Sequence, residues 1–298
     1  MRSVSHSLGR STWIVLGSAA IVISIIYGLW LGHRNDRTTS AWSRGTAAFR
    51  EQRHEAAAAR RTPPPAASTP ARYRNHAPED VLSQAIHFAE LKPPQIDKAT
   101  PLLSMLLSTH QMSGPELLDR VRSERLPPAL HPAIFVLLSR SKNNADQQLL
   151  QSALLDRDLQ PRNRLRAAAA LGASETADNA SLHALMRVLV LPSDSERPAT
   201  LVQLQIGVMH ALGNLERNAR ERAPALSQAT RTALTNQLRV AATEDHISLV
   251  LAAMDAMQIS GHPAFVEHLR FYRSHRDEIV RRYAKGVLDL LATRSNDR

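Results

Sequence analysis

The side chains that could carry chemistry in this 298-residue chain are few and scattered. Ser139-Arg140-Ser141-Lys142 has the Ser-x-x-Lys spacing of some acyl-transfer nucleophiles, but the Ser-Asp-Asn and Lys-Thr-Gly partners of that chemistry are absent from the sequence. Glu51-Gln52-Arg53-His54 matches the Glu-x-x-His element of di-iron bundles. Such a site needs two copies and two further carboxylates inside a packed bundle, so one copy predicts no metal. His262, His268 and His275, with Glu267 and Asp277 nearby, invite a metal reading. No pair of them has the i, i+4 spacing that brings two imidazoles to one ion from one helix. Asn179-Ala180-Ser181 matches the glycosylation acceptor pattern, which is a modification signal and carries no catalytic chemistry. No HExxH, GxSxG, Walker or GxGxxG signature is present. The sequence therefore predicts no catalytic residue, no metal and no cofactor. If an activity of unrecognised class exists, His210, Asp255 and His262 are the side chains through which to seek it.

Composition narrows the remaining classes. The absence of cysteine excludes disulfides, thiolate metal sites and a thiol nucleophile. The net charge of +10 suggests nucleic acid at first sight, but its distribution does not. Residues 1–78 hold 11 Arg against 3 acids, whereas residues 79–298 balance to within two charges. Gripping phosphates requires concentrated cations on the folded part, and here basic and acidic residues interleave, as in Asp119, Arg120, Arg122, Glu124 and Arg125. No nucleic-acid partner is expected.

Residues 12–32, TWIVLGSAAIVISIIYGLWLG, contain no ionisable side chain except Tyr27. As a helix they would span about 31 Å, the thickness of the bilayer's hydrocarbon core. Trp13 stands at one end and Tyr27 and Trp30 at the other, where amphipathic rings favour the interface. The run is too long for a cleavable leader, and no small-x-small cleavage pattern follows it. A single-pass anchor is expected, preceded by a short tail (1–11). Cations flank it equally on both sides, so orientation is not fixed by charge.

Residues 33–78 form a basic, Pro/Ala-rich linker containing Thr62-Pro63-Pro64-Pro65, which favours a stiff, extended spacer. Within it, residues 41–61 form a juxtamembrane helix if Trp42, Thr46, Phe49 and Ala56 share a face; it would then lie on anionic lipid or stay solvated. The order of anchor, spacer and domain resembles that of bacterial envelope proteins. By that analogy the expected location is the inner membrane, with residues 79–298 in the periplasm.

From position 79 onward apolar residues recur at three and four, as in Leu102, Leu103, Leu106, Leu107 and Leu130, Ile134, Leu137, Leu138. No stretch alternates with period two over strand length. The expected fold is all-α, with about twelve helices. Pro101 and Pro161 are read as first-turn prolines and Ser113 as an N-cap. Gly172, Gly213 and Gly261 are read as C-terminal caps. Four segments line up on a small-then-apolar pattern: 163–172, 204–213, 249–258 and 280–289. They place Ala170, Ala211, Ala256 and Val287 in one slot, a period of 30–45 residues that suits stacked helical hairpins.

NRLRAAAALG at 163–172 and VRRYAKGVL at 280–288 resemble the second helix of HEAT repeats. Ile259-Ser260-Gly261-His262-Pro263 and the segment after it are similar to the turn and helix pair of that class, above all to the helical superhelix of vitellogenin-type lipid-transfer proteins. The resemblance implies an α-α superhelix, and it implies that Arg164 and Arg281 are structural inter-repeat arginines pairing with carboxylates of a neighbouring turn. The β-rich lipid cavity of that family has no counterpart in this sequence.

The second helices are apolar on two sides: Leu165 and Ala168, Ile206 and Met209, Leu251 and Met254 lie opposite the small-residue stripe, where the last helix carries Arg282 and Lys285. Either helices within 79–139 curl over this inner face, or Ile206, Met209, Leu251 and Met254 line an open groove for an amphipathic helix or an acyl chain. Two functions follow: a membrane-anchored interaction or assembly scaffold with another envelope protein as partner, or a carrier of lipid or hydrophobic peptide.

Overall fold

Six of the twelve described helices begin on a proline in their first turn, where the missing N–H costs nothing and the fixed φ suits helix entry. The structure, a computed structural model, describes residues 76–191 and 197–296. The expected membrane segment, the juxtamembrane helix and residues 33–75 of the linker lie outside the described residues, while Pro78, the last linker residue expected, opens the first described helix. Among those described, no helix is long and apolar enough to cross a membrane.

The helices are α1 (Pro78–Glu90), α2 (Ile96–Ser108), α3 (Gly114–Arg122), α4 (His131–Arg140), α5 (Asn144–Leu155), α6 (Pro161–Ala173), α7 (Asn179–Leu189), α8 (Pro198–Ala219), α9 (Pro224–Thr243), α10 (Ile247–Ser260), α11 (Phe265–Phe271) and α12 (Glu278–Asn296). They pack in sequential pairs. The second members also touch one another in a continuous row, α2 to α4 to α6 to α8 to α10 to α12, and α3, α5, α7 and α9 line up beside them. The four segments aligned by sequence are α6, α8, α10 and α12, and their shared slot is buried in each.

Local chemistry explains the boundaries. The Ser113 side chain accepts a hydrogen bond from the Glu116 N–H at 3.3 Å, capping α3 as expected. Gly261 closes α10 with φ 70° and donates its N–H to Met257, the left-handed cap that favours glycine. Pro101 does not start a helix, because α2 already begins at Ile96 and runs through it.

Gly172 and Gly213 are not caps either. Both lie within helices, and the reason for glycine is proximity. A Cβ on Gly172 would sit 2.8 Å from the Ala211 Cα, and one on Gly213 would sit 3.0 Å from the Ala256 Cα. In both cases the nearest atom is the carbonyl oxygen of that same alanine. Helices α6 and α8, and then α8 and α10, thus meet through their main chains by the same device, one pair apart. Gly207 of α8 is filled instead by the Leu165 side chain.

The two-sided apolar pattern is accounted for by this row. At roughly 100° per residue, Ile206 and Met209 share the side of α8 that carries Gly213, toward α10, while Leu204 and Ala211 face α6. Leu251 and Met254 stand in the equivalent position on α10.

Gly172→Ala and Gly213→Ala should each destabilise by roughly 1–3 kcal/mol, since only main chain can yield to the added carbon. Gly286 of α12 has nothing among the described residues of its own chain within 4 Å of its Cβ position, so Gly286→Ala should leave the fold of the single chain unchanged or stabilise it by up to about 1 kcal/mol. Urea denaturation followed by circular dichroism checks all three; equal effects would contradict the close approach.

Candidate functional site

The C-terminal turn of α8 gathers the most developed polar cluster. Glu216 falls on the buried stripe of α8, among Leu212, Leu215 and Ala219, and is fully buried. Arg220, one turn later, contacts its Oε2 at 2.8 Å. The Ser227 hydroxyl of α9 donates to Oε1 at 2.9 Å, and the Ser260 hydroxyl of α10 donates to Oε2. Arg220 also donates to the Ser260 carbonyl at 2.7 Å, satisfying a helix-end acceptor. One carboxylate thereby joins three helices. Burial acts to raise the Glu216 pKa, but hydrogen bonds from Arg220, Ser260 and Ser227 outweigh it and hold the carboxyl below its ordinary value.

His262 lies at the rim of this cluster. Its ring contacts the Arg231 guanidinium, and burial together with that charge lowers its pKa. His268 lines an open depression of about 320 Å³ between α9 and α11, with Gln228, Arg231, Thr235 and Phe265. His275 stacks on Tyr272. The three histidines do not converge. Among the described residues, no group of three or more His, Asp or Glu side chains is placed to hold a metal ion.

His210 and Asp255 are brought together. They occupy the same slot on α8 and α10, and His210 Nε2 lies 2.9 Å from Asp255 Oδ2. A carboxylate beside an imidazole is the arrangement that orients a general base. Here the ring is 1% exposed and the carboxylate 26%, so the pair meets solvent through its acidic member alone. A second buried imidazole, His131, bridges α4 and α6: its Nδ1 is 3.1 Å from Asn163 Oδ1 and its Nε2 is 3.1 Å from the Leu126 carbonyl. Burial lowers its pKa against the opposing pull of those acceptors.

The remaining sequence candidates have structural surroundings. Ile206, Met209, Leu251 and Met254 are all buried, at most 4% exposed. They do not line an open groove; the neighbouring helices of the row cover them, a role the sequence assigned to helices within 79–139. Arg164, also buried, donates from Nε to the Leu154 carbonyl at the end of α5. Arg281 donates to the His275 and Arg276 carbonyls, both at 2.8 Å. Both arginines thus bind backbone carbonyls that precede their own helix. Ser139 donates to the Val136 carbonyl one turn back in α4.

Glu216, Arg220, Ser227 and Ser260 escaped the sequence reading. The available signal was a carboxylate set within an apolar stripe and followed by arginine at i+4.

Stability should fall as pH drops below about 4.5, because the Glu216 pKa lies lower folded than unfolded and its contribution is present only above that window. Glu216→Gln should remove this acid-dependent part and cost roughly 3–5 kcal/mol at neutral pH by leaving Arg220 without its carboxylate. A separate decline beginning near pH 6.5 should persist in that variant, since His131 and His262 are both harder to protonate folded than unfolded. Denaturation midpoints from pH 3 to 8 check both statements.

No protein-family model, curated protein or solved structure matches the chain.

Proposed function

We propose that residues 79–298 form a HEAT-like α-α superhelix, tethered to a bacterial inner membrane by residues 12–32, that serves as an assembly scaffold for another envelope protein. The observation carrying this reading is the repeated main-chain joint, Gly172 on Ala211 and Gly213 on Ala256. Identical joints one pair apart are what a stack of like hairpins needs, and such stacks present long continuous surfaces to protein partners. The polar side chains of the interior support the same reading. Glu216, Arg220, Arg164 and Arg281 are engaged in tying helix ends and turns together.

The carrier reading is less well supported, because an acyl chain could reach Ile206 and Met209 only by parting α8 from α10, and Leu251 and Met254 only by parting α10 from α12. The pairing of His210 with Asp255 favours a second reading, an enzyme using His210 as general base. A nucleophile or substrate would have to approach from the Asp255 side.

Three measurements on the full chain test these readings. The protein should remain in membranes through alkaline extraction, and a C-terminal alkaline phosphatase fusion should be active. Crosslinking in intact cells should capture a specific envelope partner that persists when His210 is changed to Asn. A mature chain starting beyond residue 32 would overturn the tether. Abundant co-purified lipid would favour the carrier, and loss of the cellular phenotype in a folded His210→Asn protein would favour the enzyme.

A further inference from the structure

We infer that α12 carries a docking surface for a second copy of this chain, with two α12 helices crossing antiparallel at Gly286. This helix buries Val280, Ala284, Val287 and Leu291 against the rest of the domain. Beside that stripe, at roughly 100° per residue, Ile279, Tyr283, Gly286 and Leu290 fall within about 60° of one another. Ile279 is 38% exposed and Leu290 46%, two of only five large apolar side chains so exposed among the described residues. Gly286 lies between them with open space around its Cβ position. The other glycines within the described helices are covered: Gly172 and Gly213 by main chain, Gly207 by Leu165, and Gly114 by Asp146 and Leu138. Gly286 thus offers a close approach that nothing in the described chain uses.

The charges beside this stripe select the occupant. Arg282 lies four residues before Gly286 and Asp289 three residues after it, on the same flank, and both are exposed. Two α12 helices related by a two-fold axis through Gly286 would place Arg282 of each copy within about 1.5 Å in height of Asp289 of the other. The same operation sets Tyr283 against Leu290 twice. A closed two-fold contact requires a surface complementary to itself, and this one pairs opposite charges and apolar groups at once. A lipid surface would instead meet the Asp289 carboxylate with repulsion. Arg282 is already within ion-pair reach of Glu278 on its own helix and is 80% exposed, so it can exchange that partner without burial.

The absence of cysteine makes the test direct. Single cysteines are placed in the full chain at Gly286, Ile279 and Thr232, the last an exposed position on α9, and membranes are oxidised. The geometry predicts a disulfide-linked dimer for Gly286→Cys, several-fold above the other two. An antiparallel crossing leaves the two copies of position 279 about 21 Å apart, beyond the reach of a disulfide. Adding Arg282→Asp should reduce the crosslink, and adding Asp289→Arg to that protein should restore it. Crosslinking at Gly286 no greater than at Thr232, or equal at Ile279 and Gly286, would overturn the proposal. Neither result would bear on the scaffold reading, which concerns a different partner.

Discussion

Main chain against main chain is the constraint on which the arrangement depends. Where Gly172 meets Ala211 and Gly213 meets Ala256, no side chain stands between the helices to absorb an error in height or rotation. Interiors packed to crystal-like density relax little, so these two joints set the register of α6, α8 and α10 together. Ala168, on the same side of α6 as Gly172, keeps that approach close, while Ala167 and Ala170 lie on the opposite side, toward α4. The buried apolar residues on the far side of α8 then have one place to go, which is against α10.

Helix α8 is the centre of this scheme. At 22 residues it is the longest described helix, and it touches α6, α7, α9 and α10. Its final turn also reaches in both directions. The Asn218 amide donates to the Gly172 carbonyl at 3.0 Å, closing an acceptor near the end of α6, while Arg220 does the same for Ser260 at the end of α10. A buried carboxylate such as Glu216 carries a desolvation cost, so its value lies less in net stability than in orientation. Only one placement of α9 and α10 supplies both serine hydroxyls and leaves Arg220 in reach.

Much of this was legible in the residues, for physical reasons that can be named. Helical period, the first-turn Pro161, the Ser113 cap and the shared slot at Ala170, Ala211, Ala256 and Val287 are local signals, and each is found as expected. Gly172 and Gly213 were misread because a glycine after an apolar run looks alike whether the helix stops or continues. For Gly213 the distinguishing signal was the persistence of Leu215 and Ala219 at helical spacing beyond it. Pro101 was misplaced because α2 begins five residues earlier, at Ile96, without a side-chain cap to mark the start. The covering of Ile206, Met209, Leu251 and Met254 depended on which helices become neighbours, and the pairing of His210 with Asp255 needed the same knowledge. Both are long-range facts that no single helix encodes.

Native-state hydrogen exchange tests the centrality of α8 most directly. Local openings should be costliest where an element is held on most sides and cheapest at the edges. The account predicts that the slowest amides lie in α8 and in the facing turns of α6 and α10, exchanging only through global unfolding. Amides on the exposed face of α12 and in α1 should exchange sooner. Greater protection in α1–α3 than in α8 would contradict the account.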